Sequence, residues 1–240
     1  MSIDTPNTQA RPATLDSLPS LAEKTSAFFQ QYLRKEKPEV IALKAQVQAE
    51  LTASGIGKTC LQAGAKMPMF VLPNANGETV AAEALLARGP LVISFYRGAW
   101  CGFCNLEMRA LQDAVPFIRE AGGELVAISP DVSDGPSELA ETFGVDFDLL
   151  LDRGNAVARA FGLTYAMDER LRPLYKDGFG IDIGSYNEDP SWELPLTATY
   201  IVDGSGTIVE AFTDPDHTQR MEPRDIVLRL RSLRGAQAGR

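Results

Sequence analysis

Histidine is almost missing from this chain of 240 residues, and cysteine is scarce: one His217, and Cys60, Cys101 and Cys104. So few soft ligands leave little for a metal centre. A closed zinc site takes four, and beyond the close pair Cys101/Cys104 only Cys60 and His217 remain, in no second pair. An odd three cysteines also does not make the even framework of a small secreted disulfide protein. Basic residues are the minority: Lys plus Arg total 23 against 32 Asp plus Glu, a net charge of −9 and a pI near 4.8. Nucleic acid and anionic membrane surfaces attract the opposite balance. No run approaches the roughly 20 apolar residues that span a bilayer. The opening MSIDTPNTQARPATLD lacks the charged-then-apolar layout of a signal peptide. The expectation is a cytoplasmic protein with no nucleic acid, membrane, metal or cofactor to hold. In a reducing compartment a C-x-x-C is more often catalytic or metal-binding than structural.

What is present is an ordinary globular composition, 45% hydrophobic and 23% charged, in a chain long enough to bury a core without staples. Residues 1–14 are polar, hold two prolines and show no apolar period, which predicts a disordered tail. Residues 15–57 read as an N-terminal helical extension. Leu21, Phe28, Phe29 and Leu33, then Val40, Leu43, Val47 and Leu51, recur at helical spacing on either side of Pro38, which predicts a helical hairpin closed by Gly55 and Gly57. This extension either drapes over the main domain or makes a homodimer contact.

Residues 58–234 read as the main domain. GPLVISFYRG, ELVAISPD and FDLLLD are continuous apolar runs, the pattern of strands buried on both faces. Helical segments alternate with them, and Pro116 should kink the first. YKDGFGIDIGSYNEDPSWEL is a turn-rich insertion, TATYIVDGSGTIVEAFTD a hairpin and EPRDIVLRLRSL a closing helix that frays from Gly235. The order predicts a three-layer α/β/α fold around a mixed sheet, because the final hairpin must be antiparallel.

The chemistry concentrates in FYRGAWCGFCNLEMRAL, residues 95–111. Here C-x-x-C follows a buried strand and opens a helix, whose N-terminal N–H groups and dipole favour a thiolate. The spacing puts both sulfurs on one turn, close enough to bridge, and Trp100 shields an edge. Arg97 supplies positive charge from the strand end or is a surface arginine there. Redox chemistry is the leading reading, ahead of a structural metal or two inert buried thiols.

These residues resemble the peroxiredoxin-like proteins of the AhpC/TSA group in the thioredoxin superfamily, and AGAKMPMFVLPNANG, LVAISPD, RGNAVARAFGL, WELPLTATYIVDGSGTIVEAF and DPDHTQRMEPRDIV extend the resemblance along most of the chain. It implies a thioredoxin-like, peroxiredoxin-type fold. It also implies two conflicting registers. The thioredoxin pattern makes Cys101 the nucleophile and Cys104 the resolving thiol. The peroxiredoxin pattern, Pro-x-x-x-Thr/Ser-x-x-Cys, lays Arg97 on the proline, Cys101 on the Thr/Ser and Cys104 on the attacking cysteine, with Glu107 on a common glutamate. Thr197 falls where that family has a second arginine and where thioredoxins have a cis-proline; Pro195 lies two residues before it. The buried carboxylate of thioredoxins falls near Ser94.

The resemblance implies a thiol peroxidase that reduces hydroperoxides through a sulfenic acid and a C-x-x-C disulfide. Cys104, Cys101 and Arg97 are its catalytic candidates, Trp100, Thr197 and Glu107 its substrate-binding candidates, and an external thiol such as thioredoxin its reductant. The alternatives are thiol–disulfide exchange on a disulfide substrate and a redox sensor without turnover. Cys60 reads as buried filler, His217 as a loop residue ahead of a proton shuttle, Arg220 as an ion-pair partner, and Trp192 as a cover for the site or a core residue.

Overall fold

A computed structural model describes residues 12–238. The expected tail, up to residue 11, and residues 239–240 lie outside that range. The chain opens with helices α1 (Leu21–Lys35) and α2 (Pro38–Ala53). Ser20 caps α1, its hydroxyl oxygen accepting from the Glu23 N–H at 3.2 Å. Pro38 takes the first turn of α2, where its missing N–H costs nothing.

A small hairpin, β1 (Val71–Pro73) and β2 (Thr79–Ala81), leads through α3 (Ala82–Leu86) into β3 (Leu91–Phe95). Then follow α4 (Gly102–Glu120), β4 (Glu124–Ser129), α5 (Gly135–Phe143), β5 (Asp148–Leu151) and α6 (Ala156–Ala160). Next come β6 (Thr164–Ala166), α7 (Ile183–Tyr186), β7 (Glu193–Pro195), β8 (Ala198–Val202), β9 (Ile208–Thr213) and α8 (Pro223–Ala238). Helix α8 continues past Gly235 to Ala238. Pro116, where a kink is expected, lies inside α4, which continues to Glu120. It forfeits one helical hydrogen bond, while buried Val115 and Ile118 beside it keep the helix against the sheet.

The main sheet runs β5-β4-β3-β8-β9, parallel from β5 to β3 and antiparallel from β3 to β9. Strand β3 is buried at all five positions because the pleat sends alternate residues into two cores. Leu91, Ile93 and Phe95 join a cluster with α3 and α6. Val92 faces the other, made by α4, α5 and α8. That is the three-layer arrangement the alternation predicts.

The turn-rich insertion is held at its base by β6 pairing antiparallel with β7. It builds a third cluster of Met167, Leu171, Tyr175, Ile183, Trp192 and Leu194, packed against Leu43 and Val47 of α2 and against Trp100. Trp192 is thus a core residue of the insertion. The start of α1 is tied to the far end of the chain. The Glu222 carboxylate accepts from the Leu21 and Ala22 N–H groups at 3.0 and 2.8 Å and from the Ser20 hydroxyl at 3.0 Å. The helical extension therefore drapes over the main domain.

Candidate active site

Strand β3 ends at Phe95, and a short loop carries the chain to Cys101, the N-cap of α4. The loop is tightly specified. Gly98 sits at φ +141°, and a Cβ there would lie 2.3 Å from the Trp100 Nε1, so glycine is required for the turn and for the close indole. The Ala99 N–H donates to the Asp131 carboxylate at 2.9 Å, and Asn105 Nδ2 donates to the Ala99 carbonyl at 2.8 Å. These bonds hold the residues before the cysteine pair from the loop after β4 on one side and from α4 on the other.

Arg97 Nη2 donates to the Cys101 sulfur at 3.1 Å. Both residues are buried, Cys101 with 3% of its surface exposed and Arg97 with 5%. Burial alone raises the pKa of the Cys101 thiol. The adjoining Cys104 thiol and the charges of Arg97 and Arg220 outweigh it and hold Cys101 well below the ordinary range. Cys104, fully buried, is pushed well above that range by burial and by the negative charge on Cys101. No disulfide joins the two sulfurs in this structure. The pair is therefore split into a thiolate and a thiol.

Beneath Cys104 lies a buried ion pair. Arg220 Nε donates to Glu107 Oε2 at 2.7 Å, with side-chain exposures of 3% and 2%. Arg220 Nη2 also reaches the Cys104 sulfur at 3.8 Å. Ser94 Oγ donates to Glu107 Oε1 at 3.3 Å. The position where a thioredoxin pattern wants a carboxylate holds a serine, and a carboxylate reaches the same place from α4. Burial pushes Glu107 up despite its guanidinium partner.

Cys101 opens into a cavity of about 860 Å³ walled by α1, α2, the loop before α4, and the insertion. Arg97, Trp100, Phe103, Tyr175 and His217 line it beside Cys101; Cys104, Glu107 and Thr197 do not. The Arg97 guanidinium carbon stands 5.3 Å from the Trp100 ring centre, within cation–π range. Gly102 allows α1 to close over the site, because a Cβ there would come within 2.7 Å of the Phe28 ring. Among the described residues, no three His, Cys, Asp or Glu side chains cluster as a metal site would require.

Residues 63–211, more than half of the chain, match the AhpC/TSA family. The protein belongs to that family. Relatives include thiol-disulfide oxidoreductase ResA of Bacillus anthracis, 26% identical over 69% of this chain and 78% of its own. Another is a chloroplastic peroxiredoxin Q of Triticum aestivum, 25% identical over 86% and 80%. Among solved structures, peroxidoxin BcpB of Mycobacterium tuberculosis superposes with a TM-score of 0.58 at 21% identity, covering 72% of this chain and 98% of that one. The fold is thioredoxin-like, as the peroxiredoxin resemblance implied, and the protein is of the peroxiredoxin and thiol–disulfide oxidoreductase family.

Within this AhpC/TSA scaffold the candidate residues fall into two groups. Cys101, Arg97 and Trp100 meet at the cavity floor, while Cys104 and Glu107 lie behind it. Thr197 is buried just before β8 with its hydroxyl unpartnered. The Leu194–Pro195 peptide is trans, as are all described peptide bonds. Cys60 is buried in the opposite core, its sulfur 3.5 Å from the Gly162 carbonyl. His217 lines the cavity edge-on to Phe103, and burial together with Arg97, Arg220 and Lys44 depresses its pKa enough to keep it neutral. Lys44, on α2, escaped the sequence reading. Its only signal was a lone lysine among the apolar positions Val40, Leu43 and Val47.

No described helix is long and apolar enough to cross a membrane.

Proposed function

We propose that this protein is a thiol peroxidase in which Cys101 attacks the hydroperoxide and Cys104 resolves. The reading is carried by the 3.1 Å contact between Arg97 Nη2 and the sulfur of Cys101, at the floor of a cavity that Cys101 lines and Cys104 does not. This assigns the cysteines in thioredoxin order, on a substrate of the peroxiredoxin kind.

The Cys101 thiolate attacks the terminal peroxide oxygen. An S–O bond forms, the O–O bond breaks, and the alkoxide leaves and takes a proton from solvent. Sulfur is oxidised by two electrons and the peroxide reduced by two. Arg97 stabilises the thiolate and then the sulfenate oxygen. Cys104 next attacks the sulfenic sulfur and water departs with the thiol proton, leaving a disulfide within one helical turn. Arg220, 3.8 Å from the Cys104 sulfur, favours the transient Cys104 thiolate. Two external thiols, such as those of a thioredoxin, return the pair to the reduced state.

Thiol–disulfide exchange uses the same order of sulfurs, and the similarity to ResA favours it. Against it stands the cover over Cys101. A cysteine 3% exposed beneath α1 and α2 suits a small peroxide better than a protein disulfide. The test is steady-state hydroperoxide consumption with thioredoxin, its reductase and NADPH, beside insulin disulfide reduction. Peroxide consumption without insulin reduction is expected, and the reverse would transfer the assignment to disulfide exchange.

A further inference from the structure

The family match begins at residue 63, yet much of the cavity wall comes from before it. Phe28, Phe29 and Tyr32 of α1 and Lys44 and Val47 of α2 face Trp100, Tyr175 and Phe179 across the space. The wall is aromatic and aliphatic, and its volume is that of sites enclosing drug-sized ligands. Hydrogen peroxide needs no such chamber.

Apart from Arg97 at the floor, committed to the Cys101 sulfur, and Lys35, one further cation stands in this apolar setting. Lys44 Nζ lies 4.6 Å from the ring centres of Tyr32 and Phe179 and 5.2 Å from that of Tyr175. No carboxylate among the described residues pairs with it. The acids that line the cavity are otherwise engaged. Glu50 and Asp168 both bind Arg170. Asp216 accepts from the N–H and hydroxyl of Thr218. Glu36 accepts from the Lys37 N–H; its charge and that of Cys101 act on Lys44 through space and partly offset the effects of burial and Arg97, but neither forms an ion pair with it. Aromatic rings ease a half-buried ammonium by less than the solvation it loses.

We propose that Lys44 is the specificity-determining residue of this site and that it selects carboxylate-bearing amphipathic hydroperoxides, the hydroperoxides of unsaturated fatty acids. The acyl body fills the aromatic chamber, the carboxylate supplies the charge that Lys44 lacks, and the peroxide is presented to Cys101. Burial, followed by the charge of Arg97, lowers the Lys44 pKa to about 8. The ammonium is therefore the main form near neutral pH, and a bound carboxylate would favour it further. The turnover part of this proposal rests on the peroxidase reading; the recognition part does not.

The experiment has a kinetic and a binding arm. Rates of linoleic acid hydroperoxide and its methyl ester are compared for the native protein, Lys44→Met and Lys44→Arg. Oleate and methyl oleate are titrated calorimetrically into Cys101→Ser protein, with and without Lys44→Met. The native protein should prefer acid over ester by about tenfold or more in kcat/KM. Lys44→Arg should keep that preference, and Lys44→Met should bring the ratio close to one. Oleate should bind more tightly than its ester, with the difference lost in Lys44→Met. If no hydroperoxide reacts but oleate binds in this Lys44-dependent way, the peroxidase reading fails and the recognition proposal holds. An acid-to-ester ratio near one in the native protein, or a preference that survives Lys44→Met, overturns the proposal.

Discussion

Arg97 Nη2 stands 3.1 Å from the Cys101 sulfur, four residues along the chain, and both side chains are shut away from water. A guanidinium this close to a sulfur in a poorly screened interior favours the thiolate of that cysteine. Cys104, one helical turn on, then has reason to keep its proton.

Replacing Arg97 with methionine should raise the Cys101 pKa by at least about one unit, since one unit corresponds to only about 1.4 kcal/mol. Alkylation by iodoacetamide near neutral pH should slow by about tenfold or more. Thiolate ultraviolet absorbance followed against pH measures the shift directly. An unchanged titration would remove Arg97 from the mechanism.

The two single-cysteine variants should fail differently. Cys104→Ser should still consume one equivalent of hydroperoxide and accumulate a sulfenic acid that dimedone traps at Cys101. Cys101→Ser should be inert to peroxide. Mass spectrometry of the labelled peptides decides, and dimedone on Cys104 would restore the peroxiredoxin register.

The opposite shifts of the two thiols predict a stability profile. Cys101 is depressed below the unfolded value of about 8.5, so its contribution is complete above that pH and is lost as pH falls through its folded-state pKa. Cys104 is raised, so its contribution is complete below about 8.5 and is lost as pH rises through its own folded-state pKa. The pair should therefore favour the fold most near pH ~8.5. Urea unfolding from pH ~5 to ~10 should show the acid-side loss disappear in Cys101→Ser.

The Glu107–Arg220 pair is enclosed, so removing one partner strands a charge. Arg220→Met should destabilise the fold by about 3–5 kcal/mol and slow disulfide formation after oxidation of Cys101. Glu107→Gln should be milder in rate, because Arg220 still reaches Cys104. Urea midpoints and the rate of dithiol loss separate the two effects.

Gly102→Ala should act on the roof rather than on the sulfurs. The added Cβ meets Phe28 at 2.7 Å and should loosen α1 at a cost of about 1–3 kcal/mol. Faster amide exchange across residues 21–35 is expected, with relief in the Gly102→Ala/Phe28→Ala double variant.

The main strands and helices were legible because their signals are local. Leu91–Phe95 is apolar throughout, Gly and Pro bound it, and the helical period resumes just after the first cysteine. Pro116 sits inside α4, and a helix held by a buried face survives the loss of one hydrogen bond. The insertion was legible only as rich in turns. Its order comes from β6 pairing with β7 and from packing on α2, partners far away in the chain.

For the site, residue spacing alone determined that two sulfurs share one turn at the start of a helix behind a buried strand. That follows from backbone geometry, which neighbouring residues set. Tertiary structure decided the rest. Glu107 meets Arg220 across 113 residues, α1 and α2 roof the cavity, and Lys44 turns into it with no ion-pair partner among the described residues. Which sulfur is the thiolate belongs to that second class, because a pKa depends on burial and on charges through space. The pattern C-x-x-C carries neither.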